Sequence, residues 1–167
     1  GSITDVISDL EADARLVVIG RTRKHFKALG SNIEQIIRQV QTPILILNQG
    51  FAKPQSFMLA YDGRETADKA VQRIIEGGLL QGMDCHLVTV ENNKKGLKES
   101  FERVSHQLTT EGFTVKASFL TGNIFTSLMD YQAQNDVDLL VMGAFSHSKL
   151  ASIFLGSNTL RMLESTQ

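Results

Sequence analysis

The chain predicts an α/β fold built on a doubly wound parallel sheet, and three observations lead there. From Phe57 onward, short apolar runs of strand length alternate with segments of helical periodicity. Several runs, Leu139-Leu140-Val141-Met142 above all, are apolar without interruption, as strands buried on both faces are. Part of the pattern also occurs twice. Leu16-Val17-Val18-Ile19-Gly20 matches Leu139 to Gly143, and Leu29-Gly30-Ser31-Asn32 matches Leu155-Gly156-Ser157-Asn158, with a shorter loop in the first copy.

Taken in order, residues 3–14 place Ile3, Val6, Ile7 and Leu10 on one helical face, and Leu16 to Ile19 reads as a strand. A basic loop from Arg21 to Lys27 leads to the helical segment 33–40, and Thr42-Pro43 breaks it before the strand 44–47. In the second copy a strand over 58–61 ends at Asp62-Gly63. The helix over 65–77 carries Ala67, Ala70, Val71, Ile74 and Ile75 on one face, and Gly77-Gly78 closes it. A strand over 85–90 and an amphipathic helix over 97–111, with Leu97, Phe101, Val104 and Leu108 inward, come next. The strand 113–119 alternates apolar with polar residues, the pattern of a sheet edge with one wet face. Thr121-Gly122-Asn123 opens a helix over 124–135, and the strand 139–142 leads to a last helix from 157.

The repeat sets the expected domains. Residues 1–50 form the C-terminal part of a first domain, 51–55 a linker, and 56–167 a second domain lacking its last strand. That leaves an open edge beside strand 139–142, and open edges invite pairing. The expectation is that Ile44-Leu45-Ile46-Leu47 fills it, within the chain or from a second chain, so that a homodimer or strand exchange through this edge is the expected assembly.

Composition narrows the chemistry. A net charge of −1 gives no general attraction to nucleic acid or to an anionic membrane, and the sparse aromatics do not interleave with the basic cluster Arg21, Arg23, Lys24, His25 and Lys27. Cys85, as the single cysteine, excludes an intrachain disulfide and a cysteine-based zinc cluster, and its place in a strand suits a small core residue. No apolar run approaches ~18 residues and no signal-type leader opens the chain, so a cytoplasmic location is expected. There is no Walker A loop, dinucleotide-binding glycine fingerprint, nucleophile elbow or pair of histidines at metal-ligand spacing, and no nucleophile–base set emerges.

One stretch does carry ligand chemistry. After the strand 139–142, Gly143 lets backbone approach closely, and Gly156-Ser157-Asn158 opens a helix whose free N–H groups and dipole favour an anion. The spacing is Gly143-Ala144-Phe145-Ser146, nine residues, then Gly156-Ser157. With the strand-end Asp62 of Leu59-Ala60-Tyr61-Asp62-Gly63 and the Thr-Pro-Ile-Leu-Ile-Leu strand at 42–47, these residues resemble the universal stress protein family, in a tandem arrangement of two such domains.

That resemblance implies a flavodoxin-like sheet of strand order 3-2-1-4-5 binding ATP or a related adenine nucleotide, with Mg2+ as an optional companion. Asp62 would accept hydrogen bonds from the adenine or ribose side, and Val90 would offer backbone groups at the adenine edge. Gly143 would let the ligand come close, and Ser146, Gly156, Ser157 and Asn158 would face the phosphates, with Lys149 the best-placed cation of the covering loop. Ser146 stands where ATP-binding members have a second glycine; it either crowds the ribose or triphosphate or offers its hydroxyl to a phosphate. In the first copy Arg23 takes that place, the loop is shorter and no first strand is present, so no complete site is expected there. The expected function is a stress-response factor that uses nucleotide occupancy as a signal and is not an enzyme. The rival is an interaction module of the same fold that binds no nucleotide, and a weak ATPase is a third class.

Overall fold

A computed structural model of the chain describes residues 14–20, 42–47 and 52–143. The described residues divide into two compact units with the boundary between Ala52 and Lys53.

In the first unit β1 (Val17–Gly20) pairs in parallel with β2 (Ile44–Leu47), from Val17 opposite Ile44 to Gly20 opposite Leu47. The Val17 N–H donates to the Pro43 carbonyl at 2.9 Å, so the proline that breaks the preceding segment also supplies the first rung. Gly20 is the last strand residue and not the turn after it. The pairing corrects the expectation for 44–47. This strand is the partner of β1 in a two-stranded sheet separate from the sheet that contains 139–142, so within the chain it does not fill that edge. Its own first-copy neighbour has the same uninterrupted apolar character and is the nearer partner in sequence. The expected helices 3–14 and 33–40, the basic loop and the first-copy Gly30-Ser31-Asn32 lie outside the described residues.

The second unit is a four-stranded parallel sheet in the order β5-β4-β3-β6: β3 (Ser56–Ala60), β4 (Asp84–Val90), β5 (Val115–Leu120) and β6 (Leu139–Met142). Counted within this module the order is 3-2-1-4, the first four places of the expected sequence. Every connection is therefore a crossover, and the chain supplies a helix each time: α1 (Glu65–Gly77), α2 (Leu97–Thr110) and α3 (Ile124–Gln134).

Side-chain alternation sorts these helices onto two faces. Phe57, Leu59 and Tyr61 of β3 and its end, with Cys85 and Leu87 of β4, share one core with Ala67, Val71 and Ile74 of α1 and Leu97, Phe101, Val104 and Leu108 of α2. All four inward positions expected of α2 are buried, each side chain contributing about 1.5–3 kcal/mol by removal from water. Phe113 precedes β5 and still reaches this core, edge-to-face on Phe57 with ring centroids 5.9 Å apart. On the opposite face α3 covers β4 and β5, where the Tyr131 hydroxyl lies 3.0 Å from His86 Nδ1 and accepts from Ser118 Oγ at 3.1 Å. β3 is covered on both faces, and Phe57, Met58 and Leu59 are fully buried. β5 lies at the sheet edge, as its alternation predicts.

The termini of the elements follow their sequences. Gly78, left-handed at φ 64°, closes α1, and Asn123 opens α3 by accepting from the Thr126 N–H at 3.1 Å. The start of β6 is tied to the start of β3 by Asp138. Its Oδ2 accepts from the Gln55 N–H (2.7 Å), the Ser56 N–H (3.0 Å) and Ser56 Oγ (3.2 Å). These bonds, the Gln55 N–H foremost, favour the charged form and hold the Asp138 carboxyl below its ordinary range. A polar residue before an apolar strand thereby ties the start of β6 to the start of its partner β3.

Candidate functional site

Where β3 and β4 end, the sheet opens into a cleft of about 660 Å³. Its apolar wall is Ala60 and Val88 with Val90 at the strand end, closed by Ile124 and Leu128 of α3. Its polar wall comes from the two turns that follow the strands: Asp62 and Arg64 after β3, and Glu91, Asn92, Asn93 and Lys94 after β4. The position is fixed by topology, because in an open parallel sheet the turns at the carboxyl ends of adjacent strands diverge toward their own helices and leave a crevice. The size lies within the range of small-molecule sites.

Asp62 is the buried carboxylate of this cleft, with the residue 6% exposed. Oδ1 accepts from the Arg64 N–H at 3.1 Å, and Oδ2 lies 3.7 Å from Arg64 Nε. The first contact is an Asx-type turn that directs the chain from β3 into α1. Gly63 sits between them at φ 75°, a left-handed conformation that glycine adopts without steric cost. A Cβ there would come within 2.9 Å of Leu97 Cδ1 and 3.4 Å of Lys94 Cδ, so the residue is glycine for reasons of space as well. Immediately before Asp62, Tyr61 turns to the opposite side, where its hydroxyl donates to Asp68 Oδ1 at 2.8 Å. Burial first, and then this hydrogen bond to Asp68, push its phenol well above the usual tyrosine range. Tyr61 is thus a neutral core donor.

Of the expected site residues, the structure brings Asp62 and Val90 together at one cleft. At Gly143 a Cβ would run into the Thr66 carbonyl and the Ala67 N of α1, so the first turn of that helix by itself requires glycine here. Ser146, Gly156, Ser157, Asn158 and the loop cation Lys149 lie outside the described residues. Sequence reasoning missed Arg64 and Asn92 to Lys94. The signal available for them was simple: both segments directly follow strand ends already assigned to the crevice. Cys85 is fully buried in the core, and burial pushes its thiol up to about 12. Among the described residues no group of histidine, cysteine and carboxylate side chains is placed to hold a metal ion, and no helix is long and apolar enough to cross a membrane.

Comparison with known proteins decides the family. The sequence model of the universal stress protein family matches residues 54–167, more than half of the chain. This chain belongs to that family. Universal stress protein Slr1230 of Synechocystis sp. is 30% identical to it over 172 residues, an alignment that takes in 99% of this chain and 60% of the relative. A universal stress protein from Archaeoglobus fulgidus has the same fold, with a TM-score of 0.71 at 16% identity, covering 96% of this chain and 60% of that one. A universal stress protein solved in complex with cAMP covers 70% of this chain and 93% of its own, with a TM-score of 0.52 at 16% identity. The universal stress chain described here thus spans 60% of the length of the cyanobacterial relative and of the archaeal structure.

Proposed function

We propose that this protein binds an adenine nucleotide, ATP or a related species with or without Mg2+, in the cleft at the ends of β3 and β4, and that occupancy serves as a signal and not as a step of turnover. The carrying observation is the composition of that cleft, an apolar wall of Ala60, Val88 and Val90 facing a buried carboxylate, Asp62, at the carboxyl end of the sheet. An apolar slot suits a flat base, and a carboxylate beside it accepts from amino or hydroxyl groups of base or ribose. A relative of the same fold solved with cAMP supports an adenine nucleotide as the ligand class. Ser146, Gly156, Ser157 and Asn158 are proposed as the phosphate end, as the family motif implies. The chain is further proposed to be the C-terminal part of one universal stress domain followed by most of a second, to assemble as a homodimer and to act in the cytoplasm.

Isothermal calorimetry with ATP and AMP, with and without Mg2+, tests this. The expected result is saturable binding that weakens by on the order of tenfold in Asp62→Asn, which retains an acceptor for the Arg64 N–H but loses the charge. Silence of the wild-type protein at millimolar nucleotide would overturn the reading and leave the interaction module. Phosphate release above that of the Asp62→Asn variant would show an ATPase.

A further inference from the structure

Two cations share the cleft with Asp62, and the fold places both of them. Arg64 is the residue before α1. Asp62 holds its backbone through the Arg64 N–H and approaches its side chain only at Nε, 3.7 Å from Oδ2. A carboxylate at Nε leaves the Nη1–Nη2 end of the guanidinium, a planar fork of donors, turned away from it. Among the described residues those nitrogens make no hydrogen bond, and the side chain is 43% exposed. Lys94 reaches the same cleft from the other turn. Asn92 Oδ1 accepts from the Lys94 N–H at 2.8 Å and shapes that turn, and the Lys94 stem lies across the bare backbone of Gly63. Its ammonium makes no ion pair or hydrogen bond among the described residues.

The cleft therefore has an apolar wall that would take a flat ring and a polar wall to which two donors-only cations, Arg64 and Lys94, and the buried carboxylate of Asp62 contribute. Charge over the whole lining sums to zero, with Asp62 and Glu91 against Arg64 and Lys94. Any preference for an anion must come from contact at these two side chains and not from a general field. Arginine offers the fork that matches a phosphate, and lysine a movable point charge.

We propose that Arg64 and Lys94 form a phosphate-reading pair at this cleft, through which the protein binds nucleotides in preference to nucleosides. This rests on the adenine-nucleotide reading above and adds to it a second phosphate contact, separate from the motif at Ser146 and Gly156 to Asn158.

The test compares AMP with adenosine by calorimetry in the wild-type chain, in Arg64→Gln with Lys94→Gln, and in Arg64→Lys. Wild type is expected to bind AMP on the order of tenfold or more tighter than adenosine, with the gap narrowing as salt is raised. The double variant is expected to lose most of that gap, the remainder resting on the motif contact, while its far-UV circular dichroism matches that of wild type and shows that it is folded. Arg64→Lys is expected to recover part of the gap, since charge returns without the fork. A gap as wide in the double variant as in wild type overturns the phosphate pair and leaves the nucleotide reading standing, whereas equal binding of AMP and adenosine by wild type overturns the pair together with the phosphate end of that reading. Silence of wild type toward both ligands overturns the two together.

Discussion

Gly143→Ala separates two explanations of a motif glycine. If this residue is glycine to admit a ligand, a methyl group there reduces nucleotide affinity and leaves stability intact. The structure argues the reverse. The added Cβ would lie against the Thr66 carbonyl and only 2.8 Å from Ala67 N, both backbone atoms of the first turn of α1. Ala67 is 2% exposed and belongs to the core, so that turn cannot retreat without drawing α1 off the sheet. Gly143 is not among the glycines with positive φ, so alanine carries no conformational penalty and the cost is steric alone. Overpacking costs about 1–3 kcal/mol, and contact with backbone instead of a mobile side chain puts the expected loss at the upper end, about 2–3 kcal/mol. Urea unfolding followed by tyrosine fluorescence measures it cleanly. The chain has no tryptophan, and its only two tyrosines, Tyr61 and Tyr131, both lie in the four-stranded unit, so the signal reports that unit and not the other. With a urea dependence of about 1–3 kcal/mol per molar, the midpoint falls by roughly 1 M or more. An unchanged midpoint with weakened nucleotide binding would refute the packing argument and return Gly143 to the ligand.

Two further outcomes follow from the ionisable groups. Asp138→Asn should destabilise the four-stranded unit by about 1 kcal/mol at neutral pH, a modest figure because the carboxylate is solvent-exposed. Its folded pKa is depressed, so this contribution is full above about 4, the unfolded value, and disappears as pH falls through the folded one; urea midpoints of wild type and variant should converge there. His86 has a lowered pKa, from burial first and then from the Lys116 ammonium. The unfolded chain therefore binds its proton more readily, and stability should decline as pH drops below about 6.5 toward the folded value. NMR titration of the His86 ring should show a midpoint below that of a free histidine, moving up in Lys116→Ala, and a midpoint at or above the free value would refute the placement.

Much of the second unit was legible because its signals are local. The four apolar positions of α2 recur at helical spacing, and Leu97, Phe101, Val104 and Leu108 are all buried. Gly78 and Asn123 end and begin helices by their own backbone and side-chain chemistry. The alternation of β5 announced an edge. What failed depended on partners distant in sequence. Ile44–Leu47 carries no mark of which neighbour it joins, since an uninterrupted apolar strand is acceptable to any parallel partner. At Gly143 the packing of α1 was likewise invisible, because a glycine after a strand carries no mark of the helix that stands against it.

The sequence by itself determined the alternation of strands and helices, the buried face of each element and the strand-end position of Asp62, because periodicity and capping are settled within a few residues. The tertiary structure alone decided that β2 belongs to β1, that α1 occupies the space beside Gly143, and that Arg64 and Lys94 line the same cleft as Asp62. Those facts depend on which crossovers bring separate turns together at one end of the sheet, and a linear pattern of apolar residues does not encode that distance.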